Sequence, residues 1–182
     1  GGFSRPGILR AVDIQDWWSG GEVVPLELSG AEQGVFVRRE GSGPSMTLLH
    51  GFPSSSHDWA KIAPALAERY ALTMPDLLGF GASSKPREHR YSLLEQADLV
   101  EALWARDGIR ETTLVTHDYA DTVAQELLAR RAEGRLAVDL NALFGVPEQL
   151  VAACGGPTVG EHWRPFLGYF GAEASDAVYP IG

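Results

Sequence analysis

A chain of 182 residues is the size of one domain and can bury roughly 70% of its unfolded surface. Its 45% hydrophobic and 21% charged content suits a soluble globular protein and excludes a disordered or low-complexity chain. A net charge of −9 argues against nucleic-acid or anionic-membrane partners, because binding phosphates needs clustered Lys and Arg.

Cys154 is the single cysteine, so no intrachain disulfide can form, and a reducing, cytoplasmic location is expected. No apolar run approaches the length of a membrane span. The opening GGFSRPGILR lacks the apolar stretch of a signal peptide.

Residues 1–30 read as an N-terminal extension. Within it Trp17-Trp18 is expected to anchor on the core, and Asp16 to cap a short helical turn. Val35-Phe36-Val37 and Met46-Thr47-Leu48-Leu49 are strand-like runs around the turn-rich Gly41-Ser42-Gly43-Pro44, and together they predict an antiparallel hairpin. The second run leads straight into His50-Gly51-Phe52-Pro53. A helix is expected from about Trp59 to Arg69, with Asp58 as its cap and Ile62, Leu66 and Ala67 on one face.

A strand from Ala71 to Met74 then leads to Pro75-Asp76-Leu77-Leu78-Gly79-Phe80-Gly81. Asp76 is expected to hold that loop through backbone hydrogen bonds, with Gly79 and Gly81 at positive φ. Ser92 caps the next helix, Glu95 sits at the capping-box position, Leu99, Val100 and Leu103 form the buried stripe, and Gly108 ends it.

Leu114-Val115-Thr116 is a further strand. It turns sharply through His117-Asp118-Tyr119-Ala120 into a helix whose Val123, Leu127 and Leu128 recur at helical spacing. On this window alone two readings are equally good. Asp118 reads as a helix cap with Asp121 as its capping-box partner and as a carboxylate presented at a strand-to-helix elbow, and the two are compatible because an elbow residue sits at the mouth of a helix. A last apolar stretch runs from Leu136 to Phe144. The order of hairpin and then alternating strands and helices is that of a mostly parallel sheet covered on both faces. Residues 149–182 carry no clean period beyond a possible short helix near Trp163 to Phe170.

Three motifs, His50-Gly51-Phe52-Pro53, Pro75 through Gly81, and His117-Asp118-Tyr119, each follow a strand. In that order they resemble the α/β-hydrolase superfamily, in the branch of epoxide hydrolases and haloalkane dehalogenases, and within it the mesoderm-specific-transcript group. The likeness covers about residues 16–148.

The resemblance implies an α/β-hydrolase core over residues 31–148, mostly parallel with an N-terminal antiparallel hairpin. That core would be truncated at its C-terminal end, with 149–182 as a remnant of a cap. It makes Asp118 the nucleophile of a covalent aspartyl-ester mechanism. The backbone amides of Phe52 and Tyr119 would form the oxyanion pocket, shaped by His50, Gly51, Pro53 and His117. A Gly-x-Ser-x-Gly run is absent, so a serine nucleophile has no candidate.

Haloalkane dehalogenases commonly carry Asn and Trp where Phe52 and Tyr119 stand, so an epoxide-like small-molecule substrate is favoured over a haloalkane. Tyr169 and Tyr179 are candidates for protonating the opened oxygen, with core packing the simpler account of both. His162, downstream of the elbow, is the residual candidate for the general base, although its surroundings do not resemble the family's terminal histidine motif. Asp139, Glu148 and Asp176 are unsupported third members. His57, His89 and His117 read as ordinary hydrogen-bonded residues.

Ala120 departs from the usual elbow glycine, adding one methyl group to a crowded turn. A hydrolase-fold scaffold without turnover is the alternative of a different class. Neither a metal nor an organic cofactor is implied, and the oligomeric state is open.

Overall fold

The computed structural model of the chain describes residues 12–145 and 179–180. Helix α1 (Ile14–Ser19) is capped by the Asp13 side chain rather than by Asp16. Strands β1 (Glu22–Leu28) and β2 (Ala31–Glu40) follow. Strand β3 (Ser45–Leu49), a 3-10 turn (Ser56–Trp59), helix α2 (Ala63–Ala67) and strand β4 (Ala71–Pro75) come next. The chain continues through α3 (Leu93–Asp107), β5 (Glu111–Thr116), α4 (Tyr119–Ala132) and β6 (Asp139–Gly145). A two-residue strand, β7 (Tyr179–Pro180), pairs antiparallel with β6.

The sheet order is β1-β2-β4-β3-β5-β6-β7. The strands β4, β3, β5 and β6 run parallel, as βαβ crossovers require. The expected hairpin forms from different strands. β2 pairs antiparallel with β1 and with β4, and β3 lies among parallel neighbours. The turn that closes the hairpin is Ser29-Gly30, both at positive φ. Residues 22–28 therefore belong to the sheet, with alternate side chains Val24, Leu26 and Leu28 buried.

Alternation along the strands sorts side chains between two cores. Val35, Val37 and Leu114 face the side covered by α3 and α4. Phe36, Met46, Leu48 and Val115 face the side covered by Trp17, Trp59 and α2. Trp17 is fully buried and donates to Ser56 Oγ at 3.0 Å, so it is the anchor its position suggested.

The helix expected over Trp59 to Arg69 is broken in two. Ser55, not Asp58, caps the 3-10 turn, and Pro64 opens α2 in its first turn, where its missing N–H costs nothing. Helix α3 begins as expected, with Ser92 Oγ accepting from Glu95 N, and ends at Gly108 in the left-handed region. Glu95 turns elsewhere: its buried carboxylate takes Ser29 Oγ (2.7 Å) and His89 Nε2 (2.6 Å), tying the hairpin turn and the 85–91 loop to α3.

Candidate active site

The C-terminal ends of the parallel strands gather the three motifs, the place where open α/β sheets bind ligands. Strand β5 ends at Thr116, and Asp118 lies between it and α4 at φ 54°, ψ −120°. That conformation is strained for any residue with a Cβ. Asp118 occupies the cap position of α4, yet its side chain makes no capping hydrogen bond. Instead Oδ2 accepts from the backbone amide of Phe52 at 2.7 Å. Asp121 does not complete a capping box either; its Oδ1 accepts from Thr116 Oγ1 at 2.6 Å. Burial pushes the Asp121 carboxyl up, and the Thr116 bond only partly offsets this. Of the two readings of this window, the geometry is that of a side chain presented at an elbow, not of a cap.

The loop after β3 supplies the facing amide. Gly51 is needed there for space rather than for an unusual turn: a Cβ would lie 2.7 Å from His117 Cε1 and 2.9 Å from Asp118 Cβ. That close approach brings the Phe52 amide to the carboxylate. The Phe52–Pro53 peptide is cis.

His50 underlies this loop, fully buried. Its Nε2 accepts from Leu77 N at 3.0 Å, so Nδ1 carries the proton and donates to Gly51 O at 2.8 Å. Burial holds its pKa below the ordinary 6.5, the Gly51 bond pulling weakly the other way. A neutral, doubly bonded imidazole fastens the first motif to the second.

Asp76 does what its loop required. It is buried and accepts from Ser56 N and Ala82 N (both 2.7 Å) and from Trp18 Nε1 (3.2 Å). Gly79 and Gly81 have φ of 92° and 47°, and a Cβ at Gly81 would overlap the Asp76 carboxylate. Phe80, carried by this loop, touches the His50, Phe52 and Tyr119 rings at 5.4, 6.0 and 5.7 Å. The mouth of the elbow is therefore aromatic on two sides, with Phe52 65% exposed. Asp118 itself is exposed among the described residues.

Tyr119 opens α4. Its hydroxyl is pushed up by burial, against a hydrogen bond with Gln96. Ala120 is fully buried in the core under the elbow, so its extra methyl group is accommodated.

His117 lies beneath the loop, edge-on to Trp59 at 5.4 Å. Its Nε2 is 3.2 Å from both Gly51 N and Asp58 Oδ2. His57 bonds Val12 O, and His89 bonds Glu95, as ordinary polar residues do. Asp139 pairs level with Glu111 at the start of β5, at the opposite end of the sheet from Asp118. Glu148, Cys154, His162, Tyr169 and Asp176, the helix expected near Trp163 to Phe170, and the side chain of Tyr179 lie outside the described residues.

The sequence reading missed Asp58 and Ser54 as members of this cluster. Asp58 looked like a helix cap because acidic residues favour helix starts. Its real partners, Ser54 Oγ and His117, are a neighbouring turn and a residue 59 positions away. Among the described residues no group of His, Cys, Asp and Glu could hold a metal, and no helix is long and apolar enough to cross a membrane.

The LipZ protein of Mycobacterium tuberculosis is 46% identical over 133 residues, 72% of this chain and 44% of its own length. The human mesoderm-specific transcript homolog is 51% identical over 98 residues, 52% of this chain and 29% of its own. The crystal structure of epoxide hydrolase VrEH1 from Vigna radiata superposes with a TM-score of 0.58 at 27% identity, over 71% of this chain and 41% of that one. A haloalkane dehalogenase and a soluble epoxide hydrolase are also among the relatives. The chain spans less than half the length of the relatives it matches. Residues 44–135, half of the chain, match the model of the α/β hydrolase fold, and the chain belongs to that family.

Proposed function

We propose that this chain carries the nucleophile of a hydrolase acting through a covalent aspartyl ester, with an epoxide-like small molecule as substrate. The observation that carries the reading is the strained, uncapped Asp118, with Oδ2 held at 2.7 Å by the Phe52 amide. One oxygen is fixed and the other is left to attack. Oδ1 forms a C–O bond to an epoxide carbon while that carbon's bond to the ring oxygen breaks, and the released alkoxide takes up a proton.

Oδ2 then becomes the carbonyl oxygen of the ester. When water adds to that carbonyl, negative charge develops on the atom the Phe52 amide already faces, and the Tyr119 amide at the start of α4 is the second donor. Collapse of the adduct expels the diol and restores the carboxylate. The base that activates the water is expected, from the family resemblance, in residues beyond those described.

An epoxide is favoured over a haloalkane on the donors at the mouth. A departing halide needs N–H groups to receive it, and Phe52 and Phe80 offer only rings. The Tyr119 hydroxyl is engaged with Gln96.

Incubation with styrene oxide, followed by mass spectrometry, tests the reading. The expected result is either diol production or a stable adduct mapped to Asp118, both lost in Asp118→Asn. Absence of both would leave a hydrolase-fold scaffold. Bromide release from 1-bromobutane outpacing reaction with styrene oxide would overturn the substrate preference.

A further inference from the structure

A hydrogen bond that takes no part in the chemistry proposed above closes the bend between β5 and α4. Thr116, the last residue of β5, is 1% exposed, and Asp121 stands in the first turn of α4. Thr116 Oγ1 donates to Asp121 Oδ1 at 2.6 Å, across the turn that carries Asp118.

Asp121 also holds Asp118 itself, through the backbone and on both sides of its Cα. The Asp121 N–H donates to the Asp118 carbonyl at 3.0 Å. The Asp118 N–H in turn bears on the Asp121 carboxyl, more weakly than Thr116 does. The first contact fixes the peptide plane after Asp118 and the second the plane before it, and those two planes set ψ and φ. The Phe52 amide, by contrast, holds only the Asp118 side chain.

A relaxed helix start shares such work between two side chains. The cap residue is extended, its side chain takes an N–H of the first turn, and the third helical residue returns the contact. Ser92 does this ahead of α3, at φ −144° and ψ 154°. Asp118 is neither extended nor capping, so the fastening falls to Asp121, and Thr116 anchors Asp121 to the strand.

We propose that Thr116 and Asp121 are positioning residues of the elbow. Their hydrogen bond braces the bend from strand to helix and keeps Asp118 in the strained conformation from which Oδ2 meets the Phe52 amide. Strain of this kind persists only where the surroundings over-determine it. Breaking the brace would leave a buried hydroxyl and a half-buried carboxyl without each other. Burial pushes the Asp121 carboxyl up, with the Thr116 bond opposing it, so that carboxyl has reason to keep its donor. Without the brace, Asp118 is free to relax towards an ordinary cap, and its carboxylate leaves Phe52.

The catalytic consequence rests on the reading of Asp118 given above; the placement of the carboxylate does not. Amide hydrogen exchange of the full chain therefore tests the brace independently of any reaction. Thr116→Val keeps the branched shape and removes the donor. It is expected to speed exchange at the Phe52 amide about tenfold, the worth of one hydrogen bond, and to slow adduct formation at Asp118 with styrene oxide by a similar factor.

Thr116→Ser, which restores the hydroxyl, should bring both readouts back. Asp121→Ala breaks the same bond from the helix side and carries the test if Thr116→Val does not fold. Asp121→Asn keeps an acceptor oxygen without the charge, and its Phe52 exchange should stay near that of the wild type. A bond that merely adds stability would speed exchange throughout β5 and α4 and leave Phe52 unchanged. Unaltered Phe52 exchange in Thr116→Val, or no return in Thr116→Ser, overturns the proposal. Failure of the wild type to react with an epoxide would overturn only the reading of Asp118.

Discussion

At its N-terminal end helix α4 starts from a residue at φ 54° and ψ −120° whose side chain caps nothing and faces outward. At its C-terminal end the chain leaves through Gly134 at φ 69°. There the Gly134 and Arg135 amides bond back to Arg131 and Arg130 carbonyls at 2.9 and 2.8 Å, a Schellman closure. Beside it Arg130, only 7% exposed, donates to Asp98, Glu101, Glu126 and the Leu94 carbonyl. One end is strained and open, the other relaxed and fastened to α3. A conformation costing about 1–3 kcal/mol persists only where its surroundings over-determine it. Here the over-determination comes from the buried helix body, the sheet behind it and the guanidinium clamp.

Cutting the clamp is the largest way to test that division. Arg130→Ala would leave Asp98, Glu101 and Glu126 facing one another around a vacated, largely buried space. All three carboxylates retain some exposure, so the loss falls below that of a fully buried pair. About 2–3 kcal/mol is expected in chemical denaturation. If the clamp is what holds the elbow, hydrogen exchange at the start of α4 should rise along with exchange at its end. Faster exchange confined to the C-terminal turns would break the link.

The two ends also differed in how far they could be read from sequence. The elbow was legible because its residues are consecutive, and a strand, a polar turn and a helix follow one another. So were Ser92 and Gly108, which act within a turn of themselves. What stayed hidden depended on distance. The β1–β2 pairing was missed because Glu22–Leu28 carries Pro25 and two glutamates on its exposed positions, which mask an alternating strand. The hairpin was then assigned to the next two apolar runs, although β3 is taken up by parallel partners. Pro64 split a helix whose apolar spacing looked continuous. The Arg130 clamp joins residues 29 to 36 positions apart, and Asp58 reaches His117 across 59. Side-chain chemistry alone does not announce such pairs.

Acidification should act on the strained end first. His50 is buried and neutral beneath the loop, with its pKa lowered chiefly by burial. A base whose folded pKa is depressed binds its proton more readily in the unfolded chain. The stability this provides is whole above the ordinary value near 6.5 and is lost as the pH falls towards the lower folded value. One such group gives a slope of at most about 1.4 kcal/mol per pH unit. The Arg130 guanidinium at the other end stays charged throughout that window. Denaturation between pH 7 and pH 5 should therefore weaken the protein in step with loosening of the His50–Gly51 contact, and His50→Asn should flatten the slope. An unchanged slope in that variant would move the effect away from the elbow.

The smallest effects make a matched pair, one backbone change at each end of α4. Asp118→Gly removes the Cβ from a conformation that glycine tolerates and should raise stability by about 1 kcal/mol, while eliminating any reaction at that position. Gly134→Ala does the reverse. Nothing lies within 4 Å of the added methyl group, so its cost is that of the left-handed backbone alone, about 1 kcal/mol of destabilisation. Equal and opposite shifts in the denaturation midpoint would mean that the protein holds at residue 118 the same kind of strain it avoids at residue 134. A stabilised Asp118→Gly variant that no longer reacts with an epoxide would identify that strain as retained for the carboxylate. A destabilised one would make the bond from the Phe52 amide to Asp118 worth more than the strain, and the elbow a structural joint.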